Sequence, residues 1–266
     1  MKRLMPFMLL LLLSAACKKV KINPDFTREL TINSQVKNKD YHIKVQLPED
    51  YYSSTQKYAT IYVLDAFRST VKDFEFVSKT CKDIAERQNT QNVIVVGIDY
   101  GDARENDYTP TATDGNGGEA SRFTDFIEQE LQPRIEQDFR ADTSRLRRTI
   151  IGHSYGGLYG GYAFVKRNNV FGNYLLLSPS LWYDHEIILQ YEKANRPTIQ
   201  NNLQVIYLGV GGVESYMMPP IASLYQTLTK YYPNTKSSFE IVAGEGHMAS
   251  VHKDMEKALN YYFINR

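Results

Sequence analysis

Gly152-His153-Ser154-Tyr155-Gly156-Gly157 follows the apolar Thr149-Ile150-Ile151 and precedes a second apolar run that begins Leu158-Tyr159. This spacing predicts a short buried strand, a tight turn carrying the serine, and a helix, the setting in which a Gly-x-Ser-x-Gly serine becomes a nucleophile. Residues without a Cβ let strand and helix approach closely, and the strained turn between them lifts the hydroxyl out of the chain. The helix N-terminus beneath it offers unpaired N–H groups and the positive end of a dipole where an oxyanion would form. Ser154 is therefore the candidate nucleophile, and the N–H of Tyr155 the first candidate oxyanion donor.

A serine hydroxyl attacks poorly until a base removes its proton, and the base must be oriented by a carboxylate. With an elbow of this kind the chain order is Ser, then Asp or Glu, then His. His247, in Gly244-Glu245-Gly246-His247, falls after the last predicted strand and before the last predicted helix, where that base belongs. His252, one turn into that helix, is the rival; His42, His153 and His185 lie in the wrong places. The orienting acid is expected in Gly209-Val210-Gly211-Gly212-Val213-Glu214, read as a loop after a strand at 203–208, and Glu214 is its single carboxylate. An ordinary solvated glutamate is the alternative. The glycine run lacks the Lys-Ser/Thr of a phosphate-binding loop, so nucleotide binding is not expected. The second oxyanion donor should follow the strand at 58–64, in Asp65-Ala66-Phe67-Arg68; Phe67 N–H is the expected donor, Ala66 N–H the alternative, and a plain strand-to-helix turn remains open.

Outward from the elbow, apolar runs suited to buried strands recur at 58–64, 93–98, 149–151, 174–177, 203–208 and 239–242. Helical stretches separate them, near 71–87, 156–167, 184–194, 219–231 and 250–263. A further helix carries Phe123, Phe126, Ile127, Leu131, Ile135 and Phe139 on one stripe, with Pro133 expected to kink or split it. Between residues 30 and 47, alternation through Val36, Tyr41, Ile43 and Val45 around Asn38-Lys39-Asp40 predicts an antiparallel hairpin. The expectation is an α/β fold: a mainly parallel, doubly wound sheet, helices on both faces, and an antiparallel N-terminal hairpin. Neither repeat nor linker interrupts residues 25–266, which read as one domain. Residues 101–118, polar and rich in Gly, Asp and Thr, read as a functional loop.

The 266 residues carry 31 Lys+Arg against 30 Asp+Glu, so no global field draws nucleic acid, and no nucleic-acid partner is expected. Twenty tyrosines suggest many amphipathic rings near the surface. The first 16 residues, with Lys2 and Arg3, an apolar run and Ser14-Ala15-Ala16, have the layout of a cleavable export signal. Cys17 follows, and Leu13-Ser14-Ala15-Ala16-Cys17 resembles the lipobox of bacterial lipoproteins. That resemblance implies an acylated Cys17, a tether over 17–24, and an exported chain anchored to a membrane facing the periplasm or cell exterior. Cys81 is then the one cysteine of the mature chain; it shares helical spacing with Phe74, Val77 and Ile84 and reads as a buried small hydrophobe. There is no His-Glu-x-x-His and no cysteine pair, so neither metal nor cofactor is expected.

Several motifs together carry a resemblance: Val63-Leu64-Asp65-Ala66-Phe67, Arg104 with Asp107-Tyr108-Thr109-Pro110, Glu130-Leu131-Gln132-Pro133, the elbow, Ser178-Pro179-Ser180-Leu181-Trp182, and Gly244-Glu245-Gly246-His247. In this order, over nearly the whole mature chain, they resemble the esterase family that includes esterase D, feruloyl esterases, mycolyltransferases and siderophore esterases. The resemblance implies the α/β-hydrolase fold, a Ser154–His247–Glu214 triad and a small-molecule ester substrate. The Ser-Pro-Ser-Leu-Trp stretch and a glutamate acid are most similar to the siderophore-esterase branch. Ala66 departs from the glycine common there. By analogy with that branch's basic pocket, Arg104 would contact an acidic or metal-chelate substrate; a structural ion pair with Asp107 or Asp102 is the alternative. Trp182 would either wall an aromatic acyl pocket or pack in the core. The expected reaction is acyl transfer to water, with transfer to another alcohol, or a binding protein without catalysis, as the other readings.

Overall fold

A computed structural model describes residues 26–67, 72–99, 101 and 104–266. The export signal, Cys17 and its tether, together with Arg68 and Asp102, lie outside the described residues. The chain opens with strands β1 (Thr27–Ser34) and β2 (Lys39–Gln46), then β3 (Thr60–Val63), helix α1 (Asp73–Gln88), β4 (Ile94–Ile98) and α2 (Arg104–Tyr108). A two-residue hairpin, β5 (Ala112–Thr113) and β6 (Asn116–Gly117), leads into α3 (Ala120–Phe126) and α4 (Gln132–Asp138). Then follow β7 (Arg148–His153), α5 (Tyr155–Lys166), β8 (Asn173–Leu177), α6 (Tyr183–Ile199), β9 (Gln204–Gly211), α7 (Met218–Tyr231), β10 (Thr235–Val242) and α8 (Val251–Asn265). Eight strands form one sheet in the order β1-β2-β4-β3-β7-β8-β9-β10. β1 and β2 pair antiparallel, as does β2 with β4, and from β4 to β10 every pairing is parallel. This is the doubly wound sheet with an antiparallel leading hairpin that the sequence predicts, in the α/β-hydrolase arrangement.

Apolar side chains on the two sheet faces form two cores. Phe74, Val77 and Cys81 of α1 meet Val251, Met255, Leu259 and Tyr262 of α8 on one face; the larger core on the other gathers α3, α5, α6 and α7. Cys81 is fully buried and burial pushes its thiol far up, so it is a packing residue, as its helical spacing predicts. The tyrosines correct the surface expectation. Tyr41, Tyr58, Tyr62, Tyr108, Tyr159, Tyr174, Tyr207 and Tyr262 are completely buried, and several hydroxyls have partners there, such as Tyr41 to Asp107 at 2.8 Å and Tyr207 to Asp254 at 2.6 Å.

Four local expectations change. The hairpin turns at residues 35–38, with Asn38 at φ 52°, instead of at Asn38-Lys39-Asp40. At Pro133 the regular α-helix is interrupted by a π turn and not by a loop: the π turn (Ile127–Leu131) joins α3 to α4, and Gln132 N–H, just before the proline, reaches back to Ile127 O. The described part of the segment expected as a functional loop, 104–118, is not an open loop, because Asn106 Oδ1 and Thr109 Oγ1 accept from the N–H groups of Gly117 and Gly118 and fold it into α2 and a small hairpin. Finally, Asp184, His185 and Glu186 are left-handed (φ 42°, 52° and 59°) at the start of α6, so its regular turns begin after them.

β9 also runs through Gly209 to Gly211, which hydropathy reads as loop. The glycine at 209 serves packing: a Cβ there would lie 2.0 Å from Asp254 Oδ2, so only glycine admits that carboxyl from α8. Asp254 is fully buried, and its Oδ2 has no hydrogen-bond partner among the described residues. Burial pushes this carboxyl up to about 7, against the hydrogen bond from Tyr207 and the charge of Lys257. An acid with a raised folded-state value binds its proton more tightly when native. Stability from this group is therefore full below about pH 4 and falls as pH rises toward 7, where the unfolded carboxyl ionises first. Asp254→Asn is expected to remove that fall. Urea unfolding of both proteins at acidic and at mildly alkaline pH should find the variant gaining on the wild type at the higher pH; a pH-independent difference contradicts the assignment.

Candidate functional site

The parallel strands β3, β7, β8, β9 and β10 all end at the same edge of the sheet, and the loops leaving those ends meet there. Ser154 stands between β7 and α5 with φ 61° and ψ −118°. The close approach that this turn requires explains Gly152, where a Cβ would come within 2.5 Å of the Gly156 backbone. Both sides of the serine are tied to the next strand end: Ser154 N–H donates to Leu177 O at 3.0 Å, and Ser180 N–H donates to Ser154 O at 3.2 Å. α5 starts at Tyr155, three residues before Leu158, so Tyr155 N–H is among the first-turn donors that have no intrahelical acceptor.

Glu214 and His247 come together as the sequence predicts. His247 Nδ1 lies 2.6 Å from Glu214 Oε2. Glu214 is only 4% exposed and is not a solvated loop residue; its Oε1 accepts from Ser178 Oγ at 2.7 Å and from Gly211 N–H at 2.7 Å. With Oε1 fixed by these two donors, Oε2 is directed at Nδ1 of the imidazole, which leaves Nε2 for chemistry. The loop carrying His247 is fastened to the loop carrying Glu214, through Val213 N–H to Glu245 O (3.1 Å) and Gly212 N–H to Val242 O (2.8 Å). His153, buried behind the serine, has its Nε2 2.9 Å from the His247 carbonyl, with the two rings 4.4 Å apart. Among the described residues, no hydrogen bond joins Ser154 Oγ to His247. A contact between a nucleophile and its base commonly tightens only when substrate is bound. The rival His252 faces the other way: its ring stacks on Phe76 at 4.1 Å and its Nε2 lies 3.6 Å from Asp73, so it joins α8 to α1.

On the oxyanion side, Ala66 N–H donates to Ile98 O at 3.3 Å, whereas Phe67 N–H has no acceptor among the described residues. Of the ion-pair partners weighed for Arg104, Asp102 lies outside the described residues. Asp107 is occupied by Lys37, Lys39 and the Tyr41 hydroxyl, and Arg104 instead pairs with Asp65 through two parallel bonds of 2.8 and 2.7 Å. Trp182 is not in the core. It is 41% exposed, with its ring 6.3 Å from that of Tyr216, and Tyr216, Val213 and Met248 beside the Glu214 and His247 loops are exposed as well. Cavities of about 540 Å³ between the leading hairpin and α1, and about 700 Å³ against β10 and α8, are lined by none of Ser154, Glu214 and His247. Two residues escaped a role in the sequence reading. Ser178 and Asp65 both sit in recognisable motifs, but their partners are 36 and 39 residues away, a distance no local pattern spans.

A family model described as "Putative esterase" matches residues 34–255. A ferri-bacillibactin esterase of Bacillus subtilis is 30% identical over 258 residues, covering 86% of this chain and 87% of that protein. A siderophore triacetylfusarinine C esterase of Aspergillus fumigatus is 37% identical over 112 residues, 38% of each chain. Among solved structures, the BES protein of Bacillus cereus superposes with a TM-score of 0.77 at 28% identity, covering 92% of this chain and 97% of that one. An IroE-like serine hydrolase of Shewanella oneidensis gives 0.74 at 25% identity, covering 88% and 79%. Ser178→Ala, which leaves Glu214 Oε1 with Gly211 N–H alone, is expected to lower kcat for a simple ester roughly ten-fold with KM little changed, since it removes one charge-assisted bond. Steady-state kinetics of the purified variant check this, and an unchanged kcat would remove Ser178 from the site.

Proposed function

The chain belongs to this esterase family and is an ester hydrolase, and on that footing we propose that it acts through an acyl-enzyme formed on Ser154. The observation that carries the reading is the 2.6 Å contact between His247 and the buried, doubly anchored Glu214. An imidazole fixed in this way is a ready base for a nearby serine. Ser154 Oγ attacks the ester carbonyl carbon while His247 takes its proton. Tyr155 N–H and Phe67 N–H receive the charge on the carbonyl oxygen. The intermediate collapses, the C–O bond to the alcohol breaks, and His247 returns the proton to the departing oxygen. Water, deprotonated by the same histidine, then frees the acid and restores Ser154.

The proposed substrate class is a siderophore ester, such as a trilactone. The names of the Bacillus subtilis and Aspergillus fumigatus relatives support it, as does the exposed aromatic pair Trp182 and Tyr216 beside the site, which suits aromatic acyl groups. Export and acylation at Cys17 belong to the same proposal, supported by the pattern of the first 17 residues. Radiolabelled palmitate should label the full chain in a bacterial host and fail to label Cys17→Ser; equal labelling contradicts the anchor.

The central test is kinetic and chemical together. Wild type should hydrolyse short p-nitrophenyl esters and an enterobactin-type trilactone, and a fluorophosphonate should label it on Ser154. Ser154→Ala should lose at least about a thousand-fold in kcat and take no label. Residual activity near the wild-type rate, or label elsewhere, would sink the assignment. Product analysis with an added alcohol separates hydrolysis from acyl transfer.

A further inference from the structure

Two oxyanion donors that follow different strands must point at one oxygen, so something must fix the distance between them. β3 and β7 are parallel neighbours with Val63 opposite Ile151, and Leu64 N–H donates to Ile151 O at 3.1 Å. Beyond that bond the chains part. Asp65 turns into the left-handed region at φ 57°, leading to Phe67, while β7 continues through His153 into the elbow. Arg104, at the start of α2, spans the opening. Its Nε and Nη2 donate to Asp65 Oδ1 and Oδ2 at 2.8 and 2.7 Å, and Nη2 also lies 3.3 Å from His153 O. The guanidinium carbon is 5.6 Å from the centre of the Tyr155 ring and 5.4 Å from that of Tyr108. Tyr108, on the same short helix, accepts a hydrogen bond from Asp65 N–H at 3.3 Å. Asp65 is thus gripped by α2 through both its main chain and its side chain, and it is 1% exposed.

We propose that Arg104 is a positioning residue of the oxyanion hole, tying the loop that bears Phe67 to the elbow that bears Tyr155 and Ser154, and that it acts through Asp65 and His153 without touching substrate. This rests on the Ser154 esterase reading. The chemistry favours arginine because a planar fork matched to a carboxylate fixes orientation as well as distance. A lysine at 104 keeps the charge but offers a single point of attachment. The oxyanion hole is sensitive to such slack, since its donors act by being in place before charge develops.

The test compares wild type, Arg104→Lys and Asp65→Asn on a neutral ester and on one with an ionised acyl group, with kcat expressed per active site titrated by fluorophosphonate. Both variants should lose roughly ten- to a hundred-fold in kcat per titrated site, equally on the two esters, with KM within about two-fold. The double variant should lose no more than the worse single one, because both remove the same tie. A tetrahedral inhibitor such as a trifluoromethyl ketone should weaken in proportion to kcat. A loss confined to the ionised ester, or one expressed in KM, makes Arg104 a substrate contact and overturns the proposal. A reduced titre with normal kcat per site makes the pair purely structural and overturns it too. Failure of the esterase reading itself would appear separately, as a wild type that neither turns over nor takes label.

Discussion

A serine held at φ 61° and ψ −118° costs roughly 1–3 kcal/mol relative to a relaxed backbone, and it persists only where its surroundings leave no alternative. Here they leave none. The serine's own N–H and carbonyl are both bound by the strand end and loop of β8, and the helix that follows presses within contact distance of Gly152. Every other part of the site takes its position from this turn: β8 brings Ser178, β9 brings Glu214, and β10 brings the loop of His247. A parallel sheet suits this constraint because its strand ends share one edge while the helices that connect them take up the apolar burial on either face.

The acid–base limb and the oxyanion limb are secured by different means. Glu214 is held by neutral donors, Ser178 Oγ and Gly211 N–H, inside a region closed to water. Asp65 is held by a cation at the margin of solvent, where the Arg104 side chain remains 23% exposed. The first arrangement leaves the carboxylate's charge available to the imidazole, whereas the second neutralises a carboxylate whose task is to hold a loop in place.

The elbow was legible because its signal is local: strand, glycine, serine, glycine and helix fall within a dozen residues. The Glu214–His247 pair was legible through chain order, since strand ends that share an edge bring their loops together. What escaped was long-range or polar. For Arg104 the sequence offers a substrate contact or an ion pair with a near neighbour, Asp107 or Asp102; Asp107 is taken by two lysines and a tyrosine from the leading hairpin, and the arginine reaches across to Asp65. Trp182 offered no signal to distinguish core from rim. Gly209 and Gly211 read as loop residues because glycine is read first as flexibility, and here the carboxyls of Asp254 and Glu214 need the room. The burial of so many tyrosines was missed for a related reason: composition counts rings but cannot reveal which hydroxyls find acceptors inside.

β10 was under-read as well, its first half concealed by Lys236, Ser237 and Ser238. That half lies on the outermost strand at the far edge of the sheet, paired among the described residues on one side only, with β9. A bare edge with its N–H and carbonyl groups unpaired is a template on which another chain can add as a further strand. Polar and charged side chains at 235–238 and at Glu240, together with Arg28 and Glu29 on the opposite edge strand β1, make such addition unfavourable. The polarity that hides this strand from a hydropathy reading thus also disfavours the addition of a ninth strand to the eight-stranded sheet.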